Sequence, residues 1–233
     1  MATVEISSWE DLSDINDALS GDYILTTDLD SDSTGYSTYA SSTANAGVGW
    51  TPLGNSTTKF TGTFDGDSYS ISDVYISVGT SVDYVGLFGY TTGSTIENLS
   101  VLDITIYGGD DYTGGLVGYN HSSSITNCNI SGNIYSCDDY VGGLVGLNNS
   151  SSSVTNSYST VNIDSSGSSN VGGLVGYNYA SSSVTDSYSS GSVSGTSNVG
   201  GLVGYNSSSS VTYSYSTGSV SGTSNVGGLV GNN

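Results

Sequence analysis

One hexapeptide, Val-Gly-Gly-Leu-Val-Gly, recurs almost unchanged along the chain, and nothing else constrains the fold as strongly. Its leucine falls at Leu87 (in the variant Val85-Gly86-Leu87-Phe88-Gly89), Leu116, Leu144, Leu174, Leu202 and Leu229, at spacings of 29, 28, 30, 28 and 27. A period in this range is the mark of a repeat architecture. Each unit continues with Tyr-Asn or Leu-Asn, as at Tyr119-Asn120, Leu147-Asn148, Tyr177-Asn178 and Tyr205-Asn206, and then a Ser-rich turn. A strand-like run follows at Val154–Ser159, Val184–Ser189 and Val211–Ser216, and then a shorter one such as Ser192–Ser194 or Ser219–Ser221. Short runs rich in Val, Thr and Tyr between Gly/Ser/Asn turns read as strands. No unit has room for a helix, and one unit alone cannot bury its apolar side, whereas stacked units can.

The expectation is an all-β, single-stranded parallel β-helix, a β-solenoid with about three short strands per coil. Dividing 233 residues by the period predicts about eight coils, a rod on the order of 40 Å long at one strand spacing per coil. Stacking places like above like. Ile96, Ile125, Val154, Val184 and Val211 form an aliphatic column, and Asn120, Asn148, Asn178, Asn206 and Asn232 an amide ladder. Stacked amides hydrogen-bond along such a column. Strict alternation in Val141–Gly146 would turn either Leu144 or the two valines outward, leaving an apolar stripe that is either a contact surface or covered by a neighbouring loop.

Residues 1–80 lack the repeat and read as a cap strand, a helix and irregular first coils; residues 81–233 carry the repeats. Thr3–Ser7 alternates as a strand does. Ser8–Leu19 reads as a short helix with Ser8 as N-cap and Asp11 three residues on, placing Trp9, Leu12, Ile15 and Leu19 near one face. Such a helix suits the open end of a solenoid. The C-terminus shows no matching cap, so the last coil is expected to meet either further repeats or another subunit. In the second case the Trp9/Leu12 region of one copy would meet the Leu229 and Val230 coil of the next, head to tail.

Composition then excludes functions. One Lys, no Arg and 21 acidic residues give a net charge of −20, which rules out a phosphate-binding surface and hence nucleic acid, and adhesion to an anionic membrane. No run of 18 apolar residues spans a bilayer, and the N-terminus has no signal peptide, so a secreted form is expected to be a mature chain. Gly and Ser exceed a third of the chain, but their periodicity and 19 Tyr argue against disorder.

The motif Val-Gly-Gly-Leu-Val-Gly-Tyr-Asn resembles the GLUG repeat of bacterial and archaeal surface proteins and adhesins. The lead-in is similar too: Tyr23–Asp30, Trp50–Gly54 and Phe60–Gly66. The resemblance covers nearly the whole chain. It implies an extracellular parallel β-helix, right-handed, and no particular ligand.

Catalytic patterns are thin. His121, the single histidine, sits in a Ser-rich turn, and no Gly-x-Ser-x-Gly elbow precedes a helix. A polysaccharide lyase would have only Lys59 as its base, and a tailspike-like glycosidase would need paired aspartates. Asp28, Asp30 and Asp32 alternate as in a Ca²⁺ loop but lack the Gly at position six and the distal bidentate Glu. Asp110-Asp111 and Asp138-Asp139 sit at matching places in successive coils, where a cation between them would relieve repulsion. Cys128 and Cys137 lie in one coil and suit either a bridge or two thiols. Sequons at Asn55, Asn98, Asn120, Asn129, Asn148, Asn149 and Asn206 are glycan candidates where exposed. No cofactor is expected beyond Ca²⁺. The function expected is a non-enzymatic extracellular rod that polymerises head to tail or serves as an adhesin stalk. The alternatives are an adhesin segment binding glycan or protein through Tyr119, Tyr177, Tyr205, Tyr158, Tyr188 and Tyr215, and a carbohydrate-cleaving module.

Overall fold

Stacked parallel strands account for the period. In the computed structural model, which describes residues 2–136 and 139–233, each repeat makes one turn of a parallel β-solenoid with four faces. In the turn that begins at Ser153 these are Ser153–Thr155 (face 1), Tyr158–Ser159 with Asn162–Asp164 (face 2), Ser169–Gly172 (face 3) and Val175–Tyr179 (face 4). The sheets stacked from them hold 8, 10, 5 and 6 strands. All strand pairs between named strands are parallel, and equivalent residues sit in register from turn to turn.

Complete turns number six rather than eight, with the first beginning at Thr63 and the last ending at Asn232. At ~4.8 Å per turn this part of the stack is about 30 Å long. Residues before Thr63 go into a cap and one irregular turn. Strand Val4–Ile6 pairs with Asp22–Leu25, which pairs with Thr63–Asp65. Between the first two of these strands runs the helix Trp9–Asp14, continued by a 3₁₀ turn at Ile15–Asp17. The Ser8 hydroxyl caps it by accepting the Asp11 N–H, and the Asp11 carboxylate reaches back to the N–H and hydroxyl of Ser7. The helix ends before Leu19, and its apolar face seals the core.

The repeated motif wraps the corner between faces 3 and 4. Val141-Gly142 ends one strand, the chain bends at Gly143-Leu144, and Val145 opens the next. The bend breaks the alternation that would have turned Leu or Val outward. Val141, Leu144 and Val145 are all fully buried, so no apolar stripe arises here. The glycines are set by close approach. A Cβ on Gly142 would strike the Val145 carbonyl oxygen, and one on Gly143 the Ser159 hydroxyl and the Gly173 carbonyl of the next turn. The bends themselves stack: the Leu144 N–H donates to the Leu174 carbonyl at 2.9 Å, and Leu174 to Leu202 at 2.9 Å.

The aliphatic column is present and extends upward, from Phe64 through Ile96, Ile125, Val154 and Val184 to Val211. The amide ladder is continuous and one-directional. Asn120 Nδ2 donates to Asn148 Oδ1 (2.9 Å), Asn148 to Asn178 (2.9 Å), Asn178 to Asn206 (2.9 Å) and Asn206 to Asn233 (2.7 Å). Thr91 starts it, its hydroxyl donating to Asn120 Oδ1 at 2.9 Å. The last member is Asn233 and not Asn232, because the final motif places Asn232 in register with Tyr205. A buried serine ladder runs beside it, with the N–H groups of Ser123, Ser152 and Ser182 each donating to a serine hydroxyl one turn on.

Candidate functional site

With the glycines and amides consumed by stacking, the chemistry left on the surface is phenolic. A wall of tyrosines lines faces 3 and 4. Tyr84, Tyr112 and Tyr140 occupy one column, at left-handed φ values of 62–63°, with rings stacked at 5.3 and 5.1 Å. Tyr140 passes the stack to Tyr177 (5.7 Å), and Tyr177 to Tyr205 (4.8 Å, 4° between planes). Tyr90 meets Tyr119 edge-on at 4.4 Å, and Lys59, the only basic residue, lies 5.2 Å over the Tyr90 ring. Burial, then neighbouring phenols for Tyr90 and the Asp111 carboxylate and neighbouring phenols for Tyr112, pushes both up to about 12, so these phenols stay neutral.

Two further columns stand on face 2. Tyr158, Tyr188 and Tyr215 stack at 4.7 and 5.1 Å, within 6° of parallel, and Tyr107 and Tyr135 at 4.9 Å and 11°. Both expected tyrosine sets are therefore real columns, although Leu147 interrupts the first between Tyr119 and Tyr177. The sequence reading missed Tyr84, Tyr112 and Tyr140; the signal was a Tyr one residue before each Val or Thr opening the motif. Rings stacked this closely cover one another's faces. The columns therefore present hydroxyl-bearing edges at one strand spacing, with open faces only at their ends.

Asp111 and Asp139 lie directly opposite in register beside this wall. Burial, then Asp83, Asp139 and Asp110, raises the Asp111 carboxyl above its usual value. Asp138 lies outside the described residues. Among the described residues no three His, Cys, Asp or Glu side chains converge to hold a metal ion. The three aspartates of the expected Ca²⁺ loop are not brought together. Asp28 Oδ1 instead accepts the N–H and hydroxyl of Ser70, and Asp30 Oδ1 the N–H of Asp32 and the hydroxyl of Ser33.

The expected contact between Trp9 and Leu12 and another copy is not available to them. Both are fully buried, Trp9 packing against Tyr36 and Trp50. At the opposite end Leu229 is 38% exposed, Val226 is 46% exposed and Val230 is half-buried. Three of the sequons are closed: Asn120, Asn148 and Asn206 are buried in the amide ladder, where a glycan cannot attach. Asn98, Asn129 and Asn149 are half-buried and donate to Asp65, Ser100 and the Tyr119 hydroxyl. Asn55 is exposed in a surface turn. Cys128 is a buried free thiol in a column otherwise held by Leu99, Ser157, Ser187 and Ser214, its N–H donating to Ser157 Oγ at 3.1 Å. Burial pushes the thiol up to about 12, which removes its reactivity. Cys137 lies outside the described residues. The His121 imidazole meets the Thr92 hydroxyl at 3.2 Å, and among the described residues no hydrogen bond places a carboxylate on the ring, as a base–orienter pair would require.

These features define a class: a parallel β-solenoid whose turns are locked by a Gly-Gly-Leu corner and by amide and hydroxyl ladders. Within that class the GLUG motif matches residues 109–135, 139–164, 167–194 and 195–221, so that the chain carries four GLUG repeats. It is 35% identical over 137 residues to halomucin of Haloquadratum walsbyi, covering 56% of this chain and 1% of that protein. It is 36% identical over 78 residues to a candidate Gly-rich membrane protein of Evansella cellulosilytica, covering 32% of this chain and 9% of that one. The chain thus spans a small part of either relative. Among solved structures, a candidate immunoglobulin A1 protease from Bacteroides ovatus superposes with TM-score 0.74 at 19% identity, over 97% of this chain and 70% of that one. A second IgA1 protease gives 0.52 at 18%, over 95% and 20%. At these identities the likeness is one of fold. Among the described residues no helix is long and apolar enough to cross a membrane.

Proposed function

We propose that the chain is a non-enzymatic rod module of a surface or secreted protein, an adhesin stalk that displays its tyrosine wall to a glycan or protein partner. The observation that carries this reading is the division of side chains. Gly, Asn, Ser and the aliphatic residues are spent on turn-to-turn locking, and the tyrosines form a periodic outer surface of half-exposed phenols. Phenolic edges at one strand spacing offer repeated hydrogen-bonding hydroxyls on an apolar ground, a surface suited to an extended polymer. The similarity to halomucin and to a protein named for the membrane supports a location at the cell exterior. The names of the solved neighbours raise proteolysis. Against it stand the Cys128 thiol, buried beyond reach, and the Thr92–His121 pair, which lacks an orienting carboxylate among the described residues.

Light scattering with negative-stain electron microscopy tests the stalk reading. Short monodisperse rods with saturable glycan or protein binding, lost when Tyr119, Tyr177 and Tyr205 are replaced by Ala, are expected. Release of reducing sugar from a polysaccharide, or cleavage of an immunoglobulin, would overturn it. A second reading, end-to-end association through the last turn, is favoured by the exposed Val226 and Leu229. It predicts uniform fibres that Leu229→Asp abolishes.

A further inference from the structure

The tyrosine columns have a property that binding does not use. Tyr158, Tyr188 and Tyr215 are directly opposite one another on successive rungs, as are Tyr177 with Tyr205 and Tyr107 with Tyr135. In these pairs the centroids are 4.7–5.1 Å apart and the planes within 11° of parallel. Near-parallel rings on register-matched residues are related by little more than a translation of one turn. The same ortho carbon of each ring therefore sits about one strand spacing from its counterpart. The phenols reach solvent: Tyr107, Tyr135 and Tyr215 are 43%, 42% and 54% exposed. Partly exposed side chains reorient on the ps–ns scale, so a ring can tilt to close this gap.

We propose that these stacks are sites of oxidative cross-linking, in which neighbouring tyrosines of successive turns couple to dityrosine under a peroxide-driven one-electron oxidant such as a haem peroxidase. Each phenol loses one electron and one proton to give a phenoxyl radical. The two radicals join through their ortho carbons, and each of those carbons then releases its hydrogen as a proton when the ring returns to the phenol. The oxygen count on the protein is unchanged. Two phenols lose two hydrogens in all, and one hydrogen peroxide is reduced to two waters. Among the described residues no other turn-to-turn covalent link is ready, since Cys128 is a buried free thiol and Lys59 is the only side-chain amine. Tyr188–Tyr215 ties the turn that begins at Ser210 to the turn before it, and Tyr177–Tyr205 ties the next rung.

The test treats dilute protein with haem peroxidase and limiting hydrogen peroxide, then reads dityrosine fluorescence and identifies the linked peptides by mass spectrometry. Expected are intramolecular links 158–188, 188–215, 177–205 and 107–135, each two hydrogens lighter than the separate peptides, in protein that still migrates as a monomer. Tyr188→Phe should remove both links of its own stack and spare the other two. Tyr213 is the control. It is the most exposed tyrosine, at 85%, and among the described residues its ring meets no other. If stacking directs the chemistry, Tyr213→Phe leaves the yield and pattern unchanged, a readout that holds even where Tyr188→Phe does not fold. Links that run mainly between molecules or through Tyr213, or the absence of dityrosine, would overturn the proposal.

Discussion

The first three complete turns and the last three share one backbone and hold it together differently. On face 2 one inward column reads Ile71, Val101, Ile130 and then Ser159, Ser189, Ser216. At the corner entering face 2, Leu99 and Cys128 give way to Ser157, Ser187 and Ser214. At the entry to face 3, Tyr84, Tyr112 and Tyr140 give way to Asn170, Asn198 and Asn225, whose amides bond upward at 2.8 Å per step. Charge follows the same division, with no ionised side chain beyond Asp186. The ladder from Thr91 to Asn233 runs through both halves, but early turns add the bulk of Phe60, Phe64 and Phe88, which pack at 5.0–5.5 Å, and later ones add the Asn170–Asn225 ladder around a small Val core. The changeover shows that the Gly-Gly-Leu corner fixes the path of the chain and leaves the interior free to vary, provided that each column is complementary to its neighbours.

Removing bulk from the early half should cost most. Phe88→Ala is expected to lose about 3–5 kcal/mol, seen as a fall in the denaturation midpoint that begins in the cap half. Breaking a ladder in the later half comes next. Asn178→Ala leaves Asn148 Nδ2 and Asn206 Oδ1 facing a gap and should lose about 2–4 kcal/mol, with hydrogen exchange rising first in the turns on either side. Equal losses from the two variants in every turn would break the distinction. Column identity gives a third measure. Ser189 packs against Gly173, so Ser189→Val should cost about 1–3 kcal/mol by overpacking. Its hydroxyl is buried without a partner among the described residues, so Ser189→Ala should be neutral or slightly stabilising, the reverse of what a ladder residue shows.

Much of this was legible in the chain. The period, the aliphatic column and the Asn ladder follow from spacing, because stacking superimposes equivalent positions whatever the local bend. The corner at Gly143-Leu144 was not, since alternation rules assume a straight strand and the bend turns Val141, Leu144 and Val145 inward together. The number of turns was overestimated because length divided by period takes no account of the cap and the irregular turn before Thr63. The tyrosine set was half legible: columns within the repeat could be read from it, whereas Tyr84, Tyr112 and Tyr140 stand where later repeats carry Asn. The aspartates of the expected Ca²⁺ loop share a spacing but not a direction, which is set by their separate bonds to Ser70 and Ser33.

The smallest effect sharpens the charge contrast. In the column that holds Asp111 and Asp139, the next two residues are Ser169 and Ser197, and the Ser169 N–H donates to Asp139 Oδ1 at 2.9 Å. Asp111 therefore faces like charge on a rung where later turns carry a hydroxyl. Its carboxyl is raised by burial first and then by Asp83, Asp139 and Asp110, so the folded state holds this proton more tightly than the unfolded chain does. The sign follows by linkage: stability falls as pH rises from the unfolded carboxylate value of about 3.9 through the folded one, and the deficit stays at higher pH. Asp111→Asn should accordingly stabilise the rod at neutral pH. Asp111 is half-buried, and the remaining solvent contact screens the effect to a few tenths of a kcal/mol. The gain should shrink with added salt and vanish below about pH 3.9, as thermal melts of the two proteins across pH would show. A loss of stability at neutral pH would mean that the carboxylate column holds the early turns together, as the amide ladder does in the later ones.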